Sequence, residues 1–336
     1  MNIAILGGGI SALTAAFMIK NKFDDEVNID IISKDFGGDF IKGGFKYMYH
    51  TPAVEEIYKQ LAIPYELKLM NGALYYNGEI FQYPFCFFNG QVNYNEVQHK
   101  YWIKTRNDIG SFDKRCMNDP WSLRNEIKIM PTNKDSYVGF LGKLISELKG
   151  KMNPIVTNIN SQNLIPMLDD GNYEFIIYTI PIKIYLDSVN IRYDENSFTN
   201  KTLKIIKADV EINKIWWDYL YVIGNDYPFH RISKDVTNGF VDVEINSNNI
   251  IDKLNLYEII ENFMDSIDID VECIDNSMID LKGQITIDNK SFTDVDKIIL
   301  LGRFAEWNKR ITYDKVVDKI KDNIIPKLQT KIKGTK

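Results

Sequence analysis

The chain has 336 residues, 45% of them hydrophobic and 26% charged, which is enough apolar material for two packed domains of ordinary globular type. A formal net charge of −6, with lysines mixed among acids along most of the length, excludes a protein built to coat nucleic acid or an anionic membrane, since either needs clustered Lys and Arg. The 3 cysteines and 3 histidines stand apart without CxxC or metal-ligand spacing, so no disulfide framework and no metal site is expected, and a reducing, cytoplasmic setting fits best.

The first predicted unit lies in NIAILGGGISALTAAFMIK, residues 2–20. Gly7, Gly8 and Gly9 interrupt this apolar run and nothing basic precedes it, which argues against a secretory leader. Ile3 to Leu6 suit a strand buried on both faces, and Gly7, Gly9 and Ala12 then supply G-x-G-x-x-A at the entry of a helix whose inner face carries Ile10, Leu13 and Phe17. Such a turn lets backbone approach a pyrophosphate, and the free N–H groups at the helix start, around Ile10 and Ser11, favour a diphosphate. A dinucleotide site is therefore expected at Gly7, Gly9, Ile10, Ser11 and Ala12. A second strand follows in VNIDIIS. Where an acid usually holds the adenosine ribose stand Ser33 and Lys34, followed by Asp35, which is the candidate ribose ligand. Gly37-Gly38 and Gly43-Gly44 mark two further places where backbone can run close to an extended ligand.

Next comes a clear helix start in TPAVEEIYKQLAI, with Thr51 as N-cap, Pro52 in the first turn and Val54, Ile57 and Leu61 facing inward. YYNGEIFQYPF, residues 75–85, reads as a strand pair. YEFIIYTIPIKIYLD, residues 173–187, is a strand followed by Thr179 and Pro181; with Pro181 and Lys183 inside it, this stretch is too interrupted for the roughly 20 apolar residues of a membrane helix. WDYLYVIGNDYPFHRIS places Arg231 after strand-forming aromatics. In DKIILLGRFAEWNKRITYDKVVDKI a buried strand ends in Gly302-Arg303, and a helix begins near Thr312 to Asp314. Basic and aromatic residues alternate at Tyr101, Trp102, Lys104 and Arg106, at Phe229 to Arg231, and at Arg303, Phe304 and Trp307, a pattern suited to diphosphate oxygens and stacked rings.

In their order these motifs resemble the FAD-binding superfamily of amine oxidases, protoporphyrinogen oxidase and UDP-galactopyranose mutase, and the compact length is most similar to the mutase branch. The resemblance implies an α/β protein: a Rossmann-like FAD-binding domain of the glutathione-reductase type, discontinuous over 1–70, 136–190 and 275–336, with an inserted antiparallel substrate sheet over 71–90 and 191–274 and a small helical insertion over 91–135, where a homodimer contact would lie. FAD would lie on the glycine segments with Ser33, Asp35, Gly302, Arg303 and Tyr313, and the helix after Gly302 would point its N-terminus at the flavin. His50 would stand at the flavin edge. Tyr83, Tyr101, Lys104, Arg106, Arg231 and Trp307 would meet a UDP-sugar, with Arg231 and Arg303 on its diphosphate.

The implied reaction is ring contraction of a nucleotide sugar on reduced FAD without net redox change, with NAD(P)H as external reductant. An FAD-dependent amine oxidase or dehydrogenase fits the shared signature equally well. The missing acid after strand two also leaves room for a dinucleotide-binding protein without turnover.

Overall fold

The computed structural model describes residues 1–38, 48–82, 100, 127–132, 136–198, 200–223, 226–235, 239–246, 253–275, 278–285, 294, 297–308 and 311–334. In chain order the regular elements are β1 (Asn2–Leu6), α1 (Ile10–Phe23), β2 (Asn28–Ser33), β3 (Met48–Tyr49), α2 (Pro52–Gln60), β4 (Tyr65–Leu69), β5 (Gly72–Tyr76), β6 (Glu79–Gln82), β7 (Ile127–Pro131) and α3 (Ser136–Leu148). They continue with β8 (Asn153–Val156), α4 (Leu164–Asp170), β9 (Phe175–Tyr178), α5 (Ile182–Ser188), β10 (Asn200–Val210), β11 (Tyr219–Val222), β12 (Arg231–Asp235) and β13 (Phe240–Asn246). The last are α6 (Lys253–Asp265), β14 (Val271–Ile274), β15 (Ile279–Ile285), β16 (Ile298–Leu300), α7 (Tyr313–Lys319) and α8 (Ile325–Gly334). A π-helical turn, Ile320–Ile324, joins α7 to α8.

The chain divides into two compact units, one of residues Met1–Glu66, Ile129–Thr199 and Ile287–Lys336, the other of Leu67–Lys128 and Asn200–Thr286. The first is built on a five-stranded parallel sheet in the order β16-β9-β1-β2-β8. Ile3, Ala4, Ile5 and Leu6 have no exposed surface, as expected of a strand covered on both faces. Around them α1, α2, α3, α7 and α8 contribute Leu13, Val54, Phe140, Val317 and Leu328 to one continuous core. The chain leaves β1 toward β2 on one side, while β9 pairs with the other side of β1. That reversal is a topological switch point at the carboxyl ends of β1 and β9, the place where open α/β sheets hold ligands.

The second unit centres on a sheet in the order β14-β10-β13-β12-β11-β5-β6, with β15 also paired to β10. Its strands alternate cleanly. Leu220, Ile232, Val241 and Val243 are buried in a core shared with Leu256, Ile260, Phe263 and Met264 of α6. The opposite face carries Tyr219, Tyr221, Arg231, Ser233, Asp235, Asp242 and Glu244. Asn77 and Gly78, both at positive φ, close the β5–β6 hairpin, the Asn-Gly turn chemistry expected between YY and EIFQ.

Two sequence expectations are corrected. The inserted sheet is mixed, because β5 runs parallel to β11; the two belong to separate passages of the chain through this unit, so no hairpin forces them antiparallel. Within 91–135, residues Ile127–Pro131 form a strand, placed between β3 and β4 in a small third sheet. IKIMP is a short apolar run with a single charge at Lys128, and cross-strand pairing decides its conformation. Lys100 and Thr132 apart, the rest of that insertion lies outside the described residues, as do Gly43, Gly44, Tyr83, Tyr101, Lys104 and Arg106. No helix among the described residues is long and apolar enough to cross a membrane.

Candidate functional site

Four loops meet at the carboxyl ends of the parallel strands in the first unit. The turn after β1 is formed by Gly7, Gly8 and Gly9. Gly7 sits at φ +112°, and a Cβ there would lie 2.4 Å from Thr179 Oγ1 in the loop after β9. A Cβ on Gly8 would lie 2.0 Å from the carbonyl oxygen of Asp35 in the loop after β2. That loop is pinned by Gly37 N–H donating to Gly8 O at 2.7 Å and by Ser33 Oγ donating to Asp35 O at 2.6 Å. Thr179 Oγ1 donates to Leu6 O at 2.6 Å, closing the β9 side of the same turn. Two of the three glycines are therefore demanded by packing of protein on protein.

Gly9 is different. It is the N-cap of α1, in extended conformation with no capping side chain, and a Cβ on it would meet nothing within 4 Å. Gly38 comes back to it, its own Cβ position 3.5 Å from Gly9 Cα. The first turn of α1 holds no acidic residue, so its dipole end is not neutralised from within. Helix N–H groups, an open α-carbon and close-packed glycines on either side make the kind of helix start that can receive an anion.

The fourth loop follows β16. Gly302, at φ +95°, packs so closely on α1 that a Cβ would lie 2.7 Å from Ser11 Oγ. Arg303 reaches forward, Nε and Nη2 donating to Ile311 O at 3.4 and 3.3 Å, and so ties this loop to the segment entering α7. Phe304 O accepts from Ile182 N at 3.1 Å, which joins the loop to the start of α5. Trp307 is buried against Phe198 and Phe304, with ring centroids 5.0 and 6.4 Å away. Tyr313, at the start of α7, exchanges a hydrogen bond with Thr14 of α1 across 3.0 Å, and burial raises its pKa.

Gly7, Gly9, Ile10, Ser11, Ala12, Ser33, Asp35, Gly37, Gly38, Gly302, Arg303 and Tyr313 thus belong to the one unit and to the loops and helix starts described. The Asp35 side chain is exposed, and it is its carbonyl oxygen that does the packing. Two further residues pack into these loops that the sequence does not mark as site residues: Gly8, hidden in a run of three glycines, and Thr179, whose Thr-x-Pro spacing is the available signal.

His50 lies elsewhere in this unit's loops. Its Nε2 is 2.8 Å from Glu55 Oε2, and Glu55 also takes Lys59 Nζ at 2.9 Å and the Tyr65 hydroxyl at 2.6 Å. Lys59, Tyr65 and His50 together push the Glu55 carboxyl down to about 2.

In the second unit Arg231 pairs with Glu244 across β12 and β13. Nε and Nη2 each donate at 2.8 Å, one to each carboxylate oxygen, and Ser233 Oγ donates to Oε1 at 3.3 Å. Glu244 is 1% exposed, and burial raises its pKa while Arg231 opposes that rise. The guanidinium fork is thus committed to an internal carboxylate.

No protein-family model matches the sequence, and no curated protein matches it. Solved structures do match in fold. Reduced UDP-galactopyranose mutase is similar over 96% of this chain and 95% of its own, with a TM-score of 0.64 at 11% identity. An oxidoreductase from Methanosarcina mazei is similar over 96% of this chain and 100% of its own, with a TM-score of 0.55 at 11% identity. A CLA-producing fatty acid isomerase from P. acnes covers 96% and 98%, with a TM-score of 0.54 at 12% identity. At these identities the likeness establishes a fold common to this chain and those enzymes.

Proposed function

We propose that the chain is an FAD-dependent enzyme whose dinucleotide diphosphate lies on the first turn of α1. The observation that carries this reading is Gly9: an uncapped helix start with open space at its α-carbon, at the reversal point of a parallel sheet, between glycines whose positions are filled by protein. Bound FAD would supply an isoalloxazine ring that accepts electrons when oxidised and is nucleophilic when reduced. Gly7 to Ala12 would receive the diphosphate, Ser33 and Asp35 would face the ribose, and Gly302, Arg303 and Tyr313 would shape the flavin side.

For the reaction, our reading is ring contraction of a nucleotide sugar, supported by the motif order and by the mutase-like fold over nearly the whole chain. In this reading Arg231 and Arg303 take the sugar's diphosphate, His50 stands at the flavin edge, and Tyr83, Tyr101, Lys104, Arg106 and Trp307 take the rest of the substrate. The Arg231–Glu244 pair favours a second reading, an FAD-dependent oxidoreductase acting on a less anionic substrate, because a guanidinium already matched to a carboxylate offers less to a diphosphate.

Purified protein should take up FAD and show flavin absorbance. After dithionite or NAD(P)H reduction it should interconvert UDP-galactopyranose and UDP-galactofuranose without consuming oxygen. Steady peroxide formation with an amine, and no sugar conversion, would select the oxidoreductase. A folded protein that takes up no FAD would sink both.

A further inference from the structure

The loop after β16 is held by a charged network. Asp294 Oδ1 accepts from Leu300 N at 3.1 Å. Glu306 Oε1 accepts from Gly302 N at 3.2 Å, while Glu306 N donates back to Gly302 O at 3.0 Å. Lys319, at the end of α7, stands 3.4 Å from Glu306 Oε2 and 3.6 Å from Asp294 Oδ1, and Lys327 of α8 lies 3.2 Å from Asp294 Oδ2. Both carboxylates thus grip a backbone N–H of the stretch Leu300–Gly302, and Lys319 bridges the two acids. The side chains of Glu306, Asp294 and Lys319 are each a quarter exposed or less, so solvent screens the network only in part.

We propose that Lys319 is a positioning residue for the cofactor: by bridging Glu306 and Asp294 it keeps Gly302 seated against Ser11 in the first turn of α1. This rests on the FAD reading of the site. The physical reason is charge balance. Burial raises the pKa of Glu306, Lys319 opposes that rise, and Asp294 adds to it. Without Lys319 the two carboxylates would face each other, and among the described residues Lys327, on the Asp294 side, is the cation left paired to the network. Glu306 would then be costly in its ionised form and tolerable when protonated, because its neutral carbonyl oxygen can still accept from Gly302 N. A K319M variant should therefore hold the loop poorly at high pH and better at low pH. E306Q, a neutral acceptor of the same shape, should remove the repulsion.

The test is FAD binding by quenching of flavin fluorescence, for the wild type, K319M, E306Q and K319M/E306Q, at pH 5.5 and 8.5, with apo-protein melting measured alongside. The expected result is affinity about tenfold weaker for K319M at pH 8.5, a smaller loss at pH 5.5, and a double variant within about threefold of E306Q. K319R, which keeps the charge, should bind nearly as the wild type and guards against a misfolded K319M. Equal affinity of K319M and wild type overturns the inference, as does a loss identical at both pH values and unrelieved by E306Q. A wild type that takes up no FAD overturns the reading of the site, and this inference with it.

Discussion

At the residue scale the three glycines after β1 do different work, and two substitutions separate them. Gly8→Ala places a methyl 2.0 Å from Asp35 O, so the β2 loop must move; the expected cost is about 1–3 kcal/mol of stability, read as a lowered Tm in the apo-protein. Gly9→Ala meets no protein atom within 4 Å, so its apo Tm should stay near that of the wild type, while FAD affinity falls about tenfold or more because the methyl occupies the helix start. Equal effects of the two on Tm would contradict this division. Glu244 offers a third test. Glu244→Gln keeps the shape but leaves Arg231 half matched, and the expected loss is about 3 kcal/mol, measured by denaturant unfolding.

Glu55 gives the pH dependence. Its carboxyl is held at about 2 in the folded chain against an ordinary 4.5, so the stability it contributes is complete above 4.5 and is lost as pH falls toward 2. Glu55→Gln should therefore be less stable than the wild type at pH 6, with the gap closing below pH 4.5. A gap that stays constant across that range would show that the His50, Lys59 and Tyr65 contacts do not act through charge.

At the element scale, helix and strand starts follow from short-range chemistry. Thr51 Oγ1 accepts from Val54 N at 3.2 Å at the head of α2, and Thr51→Ala should cost about 1 kcal/mol in a thermal melt. Thr312 precedes α7, and Asn77-Gly78 turns β5 into β6, so these boundaries could be read from the chain alone. The same holds for β1, β9 and β16, whose buried apolar runs lead into Gly7, Thr179 and Gly302. What was not legible depended on distant partners. Ile127–Pro131 becomes a strand only because β3 and β4 flank it, and the direction of β5 is set by β11 some 150 residues later. The crowding of Gly8 by Asp35 arises where two loops cross, and neither loop encodes it by itself. Arg231 could be seen as a candidate anion ligand; that Glu244 would stand opposite it is a matter of strand register.

At the scale of the whole molecule, the parallel sheet of one unit and the mixed sheet of the other bury separate cores, each satisfied by its own helices. The chain shares this architecture with solved enzymes at 11% to 12% identity, so almost none of the shared information lies in identical residues. A ligand that binds the folded chain alone must raise its melting temperature by mass action, and FAD at about 100 times its Kd should add about 2.7 kcal/mol to the stability of the unit that holds it. The most direct measurement is titration of the purified wild-type apo-protein with FAD, following flavin fluorescence and Tm together. Binding should saturate near one FAD per chain and Tm should rise with FAD, and in Gly9→Ala both curves should move to FAD concentrations about tenfold higher or more. A folded protein with no saturable uptake and no shift in Tm would contradict it.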